Sequence, residues 1–235
     1  MTPIHRSGFL SEFLRAPRTV AAVTPSGPSL AEAIAIPIPR DGDPVVLELG
    51  PGTGAFTVAI QQRLAGRGHH LAVEINDRFA AALAADFPQV RIATADACEL
   101  RNILTVNGFD QADVIVSGLP WAAFAPGQQD DLLAAIVDGL TPDGVFCTFA
   151  YTSTRWMPLA RRLRRRLADY FEEVLACRTV WANMPPAFVY YCRRPRPVTD
   201  RTTAQVREAS GIGDRHATVA TSRAPRTSTL GGRPK

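Results

Sequence analysis

The sequence predicts an α/β chain: a mostly parallel seven-stranded sheet, antiparallel at its last strand, with helices on both faces. Three observations carry this expectation. A short apolar run, Val45-Val46-Leu47, ends in the glycine turn Glu48-Leu49-Gly50-Pro51-Gly52-Thr53-Gly54, and a helix-compatible stretch follows. Strand-like and helix-like segments then alternate as far as Tyr170, the pattern of a parallel sheet with right-handed crossovers. A final pair of apolar runs, separated by Trp181-Ala182-Asn183-Met184-Pro185-Pro186, reads as a terminal hairpin.

The elements follow in order. Phe9, Leu10, Phe13 and Leu14 share one face of a short helix, Phe9 to Arg15, flanked by Arg6, Arg15 and Arg18. It reads as a cap over a pocket or as an interfacial membrane helix, and Pro17 stops it. Thr24-Pro25-Ser26 is a turn, and Ser29 is the expected N-cap of a helix from Leu30 to Ile36. Residues 37–44 are rich in breakers and mark residues 1–44 as an arm and linker ahead of a core at 45–194. Within that core, strands are expected at Val45 to Leu49, His69 to Val73, Val90 to Ala93, Ala112 to Val116, Val145 to Ala150, Glu173 to Val180 and Phe188 to Cys192. Helices are expected at Ala55 to Ala65, Asp77 to Asp86, Cys98 to Thr105, Gln128 to Leu140 and Arg155 to Tyr170. Pro195 to Lys235 is polar and irregular, a composition that does not build a core.

The chain of 235 residues suits one α/β domain with extensions. No apolar run approaches the roughly 18–20 residues of a membrane span, and no secretory signal opens the chain. The four cysteines, Cys98, Cys147, Cys177 and Cys192, form no C-x-x-C pair, which argues against zinc and fits a reducing cytosol. The net charge of +4 is uneven: the segment from Arg193 onward holds ten basic residues and three acids, so the remainder is acidic. A basic tail binds anionic lipid or RNA, or is simply solvated.

The chemistry centres on the glycine turn. Three glycines at alternate positions let the backbone bend sharply and leave room for a ligand at the carboxyl end of a strand. Glu48 precedes the turn, and Glu74 closes the next apolar run, 20 residues after Gly54. That spacing lets a carboxylate reach a ribose hydroxyl pair. Carboxylates suit a cationic cofactor and repel a pyrophosphate.

These residues resemble motif I of the Rossmann-like class I S-adenosylmethionine (SAM) methyltransferases. The resemblance implies that Glu48, Gly50, Gly52 and Gly54 meet the methionine part, Glu74 the ribose, and Asp96 with Ala97 the adenine. After the fourth strand, Ser117-Gly118-Leu119-Pro120-Trp121 resembles motif IV of the amino methyltransferases. In RNA adenine dimethyltransferases an Asn stands where Gly118 stands here, and an aromatic ring, the counterpart of Trp121, stacks on the base.

Over about Phe9 to Arg194 the chain is similar to bacterial phospholipid N-methyltransferases. The segments that carry this are FLSEFLRAPRTVAAVTPSGPSLAEAIA, ELGPGTGAFT, the S-G-L-P turn and VWANMPPAFVYYCRR. Ala21-Ala22-Val23, Gly27 and Gly118 depart from that family's pattern. The resemblance implies methylation of the amine of phosphatidylethanolamine at an anionic membrane surface, on the inner face of the cell membrane; the alternative is methylation of RNA, which the basic tail favours, or of a small-molecule or peptide amine. Ser117, the Leu119 backbone, Tyr151 and Asn183 are the substrate-side candidates, Ser117 also touching the cofactor. Tyr151 is a candidate base, and Asn183 either bonds the substrate or holds its own turn. Arg15, Arg18, Arg161, Arg162, Arg164, Arg165 and Arg166 are candidates for a lipid phosphate or for a solvated helix face.

Overall fold

The computed structural model describes residues 26–154 and 158–196. The expected helix at Phe9 to Arg15, the turn at Thr24-Pro25-Ser26 and the tail beyond Arg196 lie outside the described residues. In chain order the elements are α1 (Pro28–Ala35), β1 (Val45–Leu49), α2 (Ala55–Leu64), β2 (His69–Glu74), α3 (Asp77–Asp86), β3 (Arg91–Thr94), α4 (Leu100–Val106), β4 (Ala112–Ser117), α5 (Pro126–Gly139), β5 (Leu140–Tyr151), α6 (Pro158–Tyr170), β6 (Phe171–Ala176) and β7 (Ala187–Pro195). Short 3-10 turns at Ala97–Glu99, Trp121–Ala123 and Thr152–Thr154 stand at strand ends.

The sheet runs β3-β2-β1-β4-β5-β7-β6. Strands β1 to β5 pair in parallel, and β7 is antiparallel to both β5 and β6. The order reverses between β1 and β4, the switch point at which open α/β sheets bind ligands outside the carboxyl ends of their strands. Val46, Leu47, Glu48 and Leu49 are all buried because both sheet faces are covered. One face packs Leu47, Leu49, Ile115 and Phe146 against α4, α5 and α6. The other packs Val46, Val114, Val116, Cys147 and Val189 against α1 and α2.

Several boundaries differ from the sequence reading. Helix α1 starts two residues earlier: Gly27 is its N-cap, Pro28 occupies the first turn, and Ser29 is helical. Residues 28–38 pack onto the core, whereas 39–43 are exposed. Leu30, Ile34 and Ile38 are fully buried, and Arg63 holds the backbone after α1 through the carbonyls of Ile36 at 2.7 Å and Ile38 at 2.9 Å. The expected turn at Thr141 to Gly144 sits inside β5: Ala112 pairs with Leu140 and Val114 with Val145, so the intervening residues bulge. Strand β6 begins at Phe171, earlier than expected, because that ring is buried and stacks on Phe146 at 5.8 Å.

Candidate functional site

The first wall is the turn after β1. Gly50, Gly52 and Gly54 have φ of 67°, 55° and 83°, values that disfavour any side chain. A Cβ on Gly50 would lie 2.6 Å from Leu119 Cδ2, whereas one on Gly52 would meet nothing within 4 Å. The turn is therefore tight on its β4 side and open at Gly52. Gly50 N–H donates to the Val73 carbonyl at 2.9 Å, which fixes the turn against β2.

Glu74 ends β2 and is buried. Its Oε2 accepts from Gly52 N–H at 3.1 Å and its Oε1 from Asn76 N–H at 2.9 Å. The carboxylate is thus locked in one orientation at the rim of the turn, each oxygen retaining acceptor capacity. Asp96 caps the 3-10 turn after β3, Oδ1 accepting from Cys98 N–H at 2.9 Å, and Ala97 is buried beside it. Burial and the Asp96 carboxylate push the Cys98 thiol up to about 12, so it stays protonated and takes no nucleophilic role at neutral pH.

Glu48 lies deeper than the turn itself. It is fully buried, and its Oε2 accepts from Thr57 Oγ1 at 2.8 Å and from His70 Nε2 at 3.1 Å. Gln61 Nε2 donates to His70 Nδ1 at 2.9 Å, which makes Nε2 the protonated ring nitrogen. The chain Gln61–His70–Glu48–Thr57 braces the floor of the turn and leaves Glu48 Oε1 buried without a protein partner. The sequence reading missed His70, Thr57 and Gln61. Their signal is faint: a His in an apolar strand, and polar residues one turn apart on α2.

The second wall is the turn after β4. Gly118 N–H donates to the Leu49 carbonyl at 2.8 Å, joining the two turns across the switch point. A Cβ on Gly118 would lie 2.6 Å from the Gly50 carbonyl oxygen, so the position has no room for the Asn found at this point in adenine dimethyltransferases. Ser117 is fully buried, and its hydroxyl accepts Trp121 Nε1–H at 3.0 Å and Leu119 N–H at 3.3 Å. Leu119 O accepts Trp121 N–H at 2.9 Å around Pro120. Ser117 shapes this turn from within. Trp121 does not face a ligand as a stacking platform: it is 2% exposed and packs edge-on against Phe124 and Phe146.

The third wall joins distant parts of the chain. Asn183, 3% exposed, accepts Gly27 N–H on Oδ1 at 2.8 Å and donates from Nδ2 to the Pro185 carbonyl at 2.6 Å. Its amide clasps the start of α1 to the β6–β7 connection, the turn-holding alternative of the sequence reading. Tyr191 Oη donates to the Ala33 carbonyl at 2.7 Å beside it. Tyr151 ends β5, half-buried, with its ring edge-on to Phe149. Burial raises its phenol, which favours the protonated form. Next to it, Thr152 N–H donates to the Pro186 carbonyl at 2.8 Å, and its buried hydroxyl has no partner.

The five arginines of α6 do not act as one cluster. Arg166 pairs with Asp130 of α5 at 3.0 Å. Arg161, Arg164 and Arg165 line a groove with Glu172 and Val174 of β6. Arg15 and Arg18 lie outside the described residues. No helix among the described residues is long and apolar enough to cross a membrane.

This donor set fits SAM. The open flank at Gly52, the fixed Glu74 carboxylate and the orphaned Glu48 oxygen offer a cradle and negative charge to a cation-bearing nucleoside. Comparison with known proteins agrees. Residues 46–144 match the family described as "Methyltransferase domain". The chain is 33% identical over 188 residues to an ornithine lipid N-methyltransferase of Singulisphaera acidiphila, covering 79% of this chain and 94% of that one. Human methyltransferase-like protein 13, solved with SAH, shares the fold with a TM-score of 0.53 and 17% identity over 82% of this chain and 95% of its own. The CurJ carbon methyltransferase gives 0.51 and 18%; 68% of this chain spans half of that one.

Proposed function

We propose that this chain, which belongs to the class I SAM-dependent methyltransferases, methylates the head-group amine of a membrane aminolipid of the phosphatidylethanolamine type. One observation carries the lipid assignment: the 33% identity to an ornithine lipid N-methyltransferase runs through 94% of that relative, well beyond the cofactor half. The site chemistry is compatible. SAM supplies a methyl group on a sulfonium, an electrophile that a neutral amine attacks directly. Glu74 would hold the ribose, Asp96 with Ala97 the adenine end, and Glu48 with the glycine turn the amino-acid end.

The amine side is built from backbone. At the turn after β4 there is no side-chain acceptor, because Gly118 has no room for one. The Leu119 carbonyl, with one lone pair on Trp121 N–H, keeps a second for an amine N–H. Ser117 orients that turn. The amine must attack in its neutral form, because an ammonium has no lone pair, and the methylated ammonium that results sheds one proton, which water can take. The buried Trp121 and the missing Asn speak against a flipped adenine, which needs a stacking face and a paired edge.

The test is methyl transfer from isotopically labelled SAM into vesicles containing phosphatidylethanolamine or an ornithine lipid with an anionic lipid, alongside total RNA. Label in methylated phosphatidylethanolamine is the expected result. Label in the ornithine lipid alone would move the substrate within the aminolipids. Label in RNA alone, or in neither lipid while SAM still binds, would overturn the proposal.

A further inference from the structure

The connection between β6 and β7 carries two large apolar side chains that the rest of the architecture does not use. Trp181 is 74% exposed and Met184 75% exposed, while Asn183 between them is 3% exposed. Alternation this sharp over four residues comes from the Asn183 clasp: with its amide bound to Gly27 and Pro185, the flanking side chains are turned outward. The loop is held at both ends as well. Val180 bridges Ala187, and the Pro186 carbonyl accepts Thr152 N–H. These contacts fix the backbone of the loop, from which Trp181 and Met184 project.

Its surroundings indicate what covers it. Strand β6 is the sheet edge, and on it Leu175 is 56% exposed. Across Leu175 to Pro186 the only charged residue is Arg178, which is exposed. The helix packed on β6 presents Arg161, Arg164 and Arg165 to the groove beside Val174. An apolar, aromatic tip with the exposed Arg178 three residues before Trp181, on an edge strand that also borders an arginine-lined groove, matches an anionic bilayer: Trp favours the headgroup boundary, and cations meet lipid phosphates. The direction is right also. Strand β6 runs parallel to β1 and β4, so the loop emerges at the same edge as the glycine turn and the Ser117–Trp121 turn.

We propose that Trp181 and Met184 form a wedge that inserts into the interface of an anionic lipid bilayer, with Arg178 beside it and the arginine groove of α6 lying along the same edge strand. This rests on the lipid reading above only for its purpose; the binding itself is measurable without turnover. The wedge lies in the β6–β7 connection, a different segment from the helix expected at Phe9 to Arg15.

The experiment is flotation of the full chain with vesicles of phosphatidylcholine, with or without phosphatidylglycerol and free of any amine lipid, for the natural protein and the W181S/M184S double variant. Both side chains are exposed, so the variant should melt with the natural protein. The expected result is binding that needs phosphatidylglycerol and weakens by about tenfold or more in the double variant. Brominated acyl chains should quench tryptophan emission in the natural protein, and this quenching should be largely lost in Trp181→Ser. Equal flotation of both proteins overturns the wedge, as does flotation that ignores phosphatidylglycerol. A large drop in melting temperature would show the pair packed against this chain, and a dimer that the variant dissolves with flotation unchanged would show a self-association face; either overturns it too. The two proposals fail separately: flotation lost in the variant without lipid methylation keeps the wedge, and lipid methylation with equal flotation keeps the substrate.

Discussion

The two halves of the site are held together over very different distances along the chain. In the β1–β3 half, the fixing contacts are close in sequence: Glu48 to Thr57 is 9 residues, Gly52 to Glu74 is 22 and Asp96 to Cys98 is 2. In the β4–β7 half Ser117 and Asn183 also hold their own turns locally, but the contacts that close this half are remote: Gly27 to Asn183 is 156 residues and Ala33 to Tyr191 is 158. The cofactor half is a local unit that any strand–turn–helix of this sequence would form. The substrate half exists only once the last hairpin has returned to clasp the first helix. A cofactor common to many enzymes is thus held by a short-range device, and the side that distinguishes substrates by a long-range one that can drift independently.

The largest effect is expected where the halves meet. Gly118→Asn puts a Cβ on the Gly50 carbonyl, an overpacking that costs about 1–3 kcal/mol and displaces the glycine turn. Calorimetric titration should show SAM affinity reduced at least about tenfold, and no adenine methylation should appear. Unchanged SAM binding would mean that the two turns are not coupled. Next is the cofactor half alone. Glu74→Ala removes a charged acceptor from Gly52, Asn76 and the ribose, worth about 1.5–3 kcal/mol, so SAM binding should weaken roughly 10- to 100-fold with little loss of lipid binding. Equal loss of both would erase the distinction between the halves.

The substrate half should answer in the opposite sense. Asn183→Ala leaves Gly27 N–H unpaired and costs about 1–3 kcal/mol, seen as a melting temperature lower by several degrees. The KM for the amine should rise, while SAM affinity stays within about threefold. The smallest effect is expected at Tyr151→Phe. A phenol held protonated by burial takes no part in the ionisation, so methyl transfer should rise with pH as the substrate ammonium, with an unperturbed pKa of about 10, loses its proton. The slope of that profile should be unchanged in the variant. A pH–rate profile that flattens in Tyr151→Phe would make Tyr151 the base.

How much was legible follows from the same contrast. The glycine spacing, Glu74 and Asp96 announce the cofactor half because each acts on neighbours a few residues away or one crossover away. The role of Ser117 was less visible: the sequence places it at the ligand edge, but folding turns its hydroxyl onto Trp121 Nε1 and the Leu119 amide. Trp121 and Asn183 read equally as ligand contacts or as supports of their own turns in one dimension, being an aromatic ring and an amide in polar turns. Burial converts both into supports.

By itself, then, the sequence determined the order of strands and helices, the sheet with its antiparallel last strand, and the acid-rimmed glycine turn. These follow from hydrophobic periodicity and from backbone positions that only glycine fills readily. Tertiary structure alone decided that residues 28–38 pack onto the core, that Gly118 is glycine for want of space against Gly50, that His70 braces Glu48, and that Asn183 clasps while Trp181 and Met184 project. Those outcomes depend on which groups become neighbours after the chain returns on itself, and on whether a polar atom then finds a partner out of water. No local pattern encodes either.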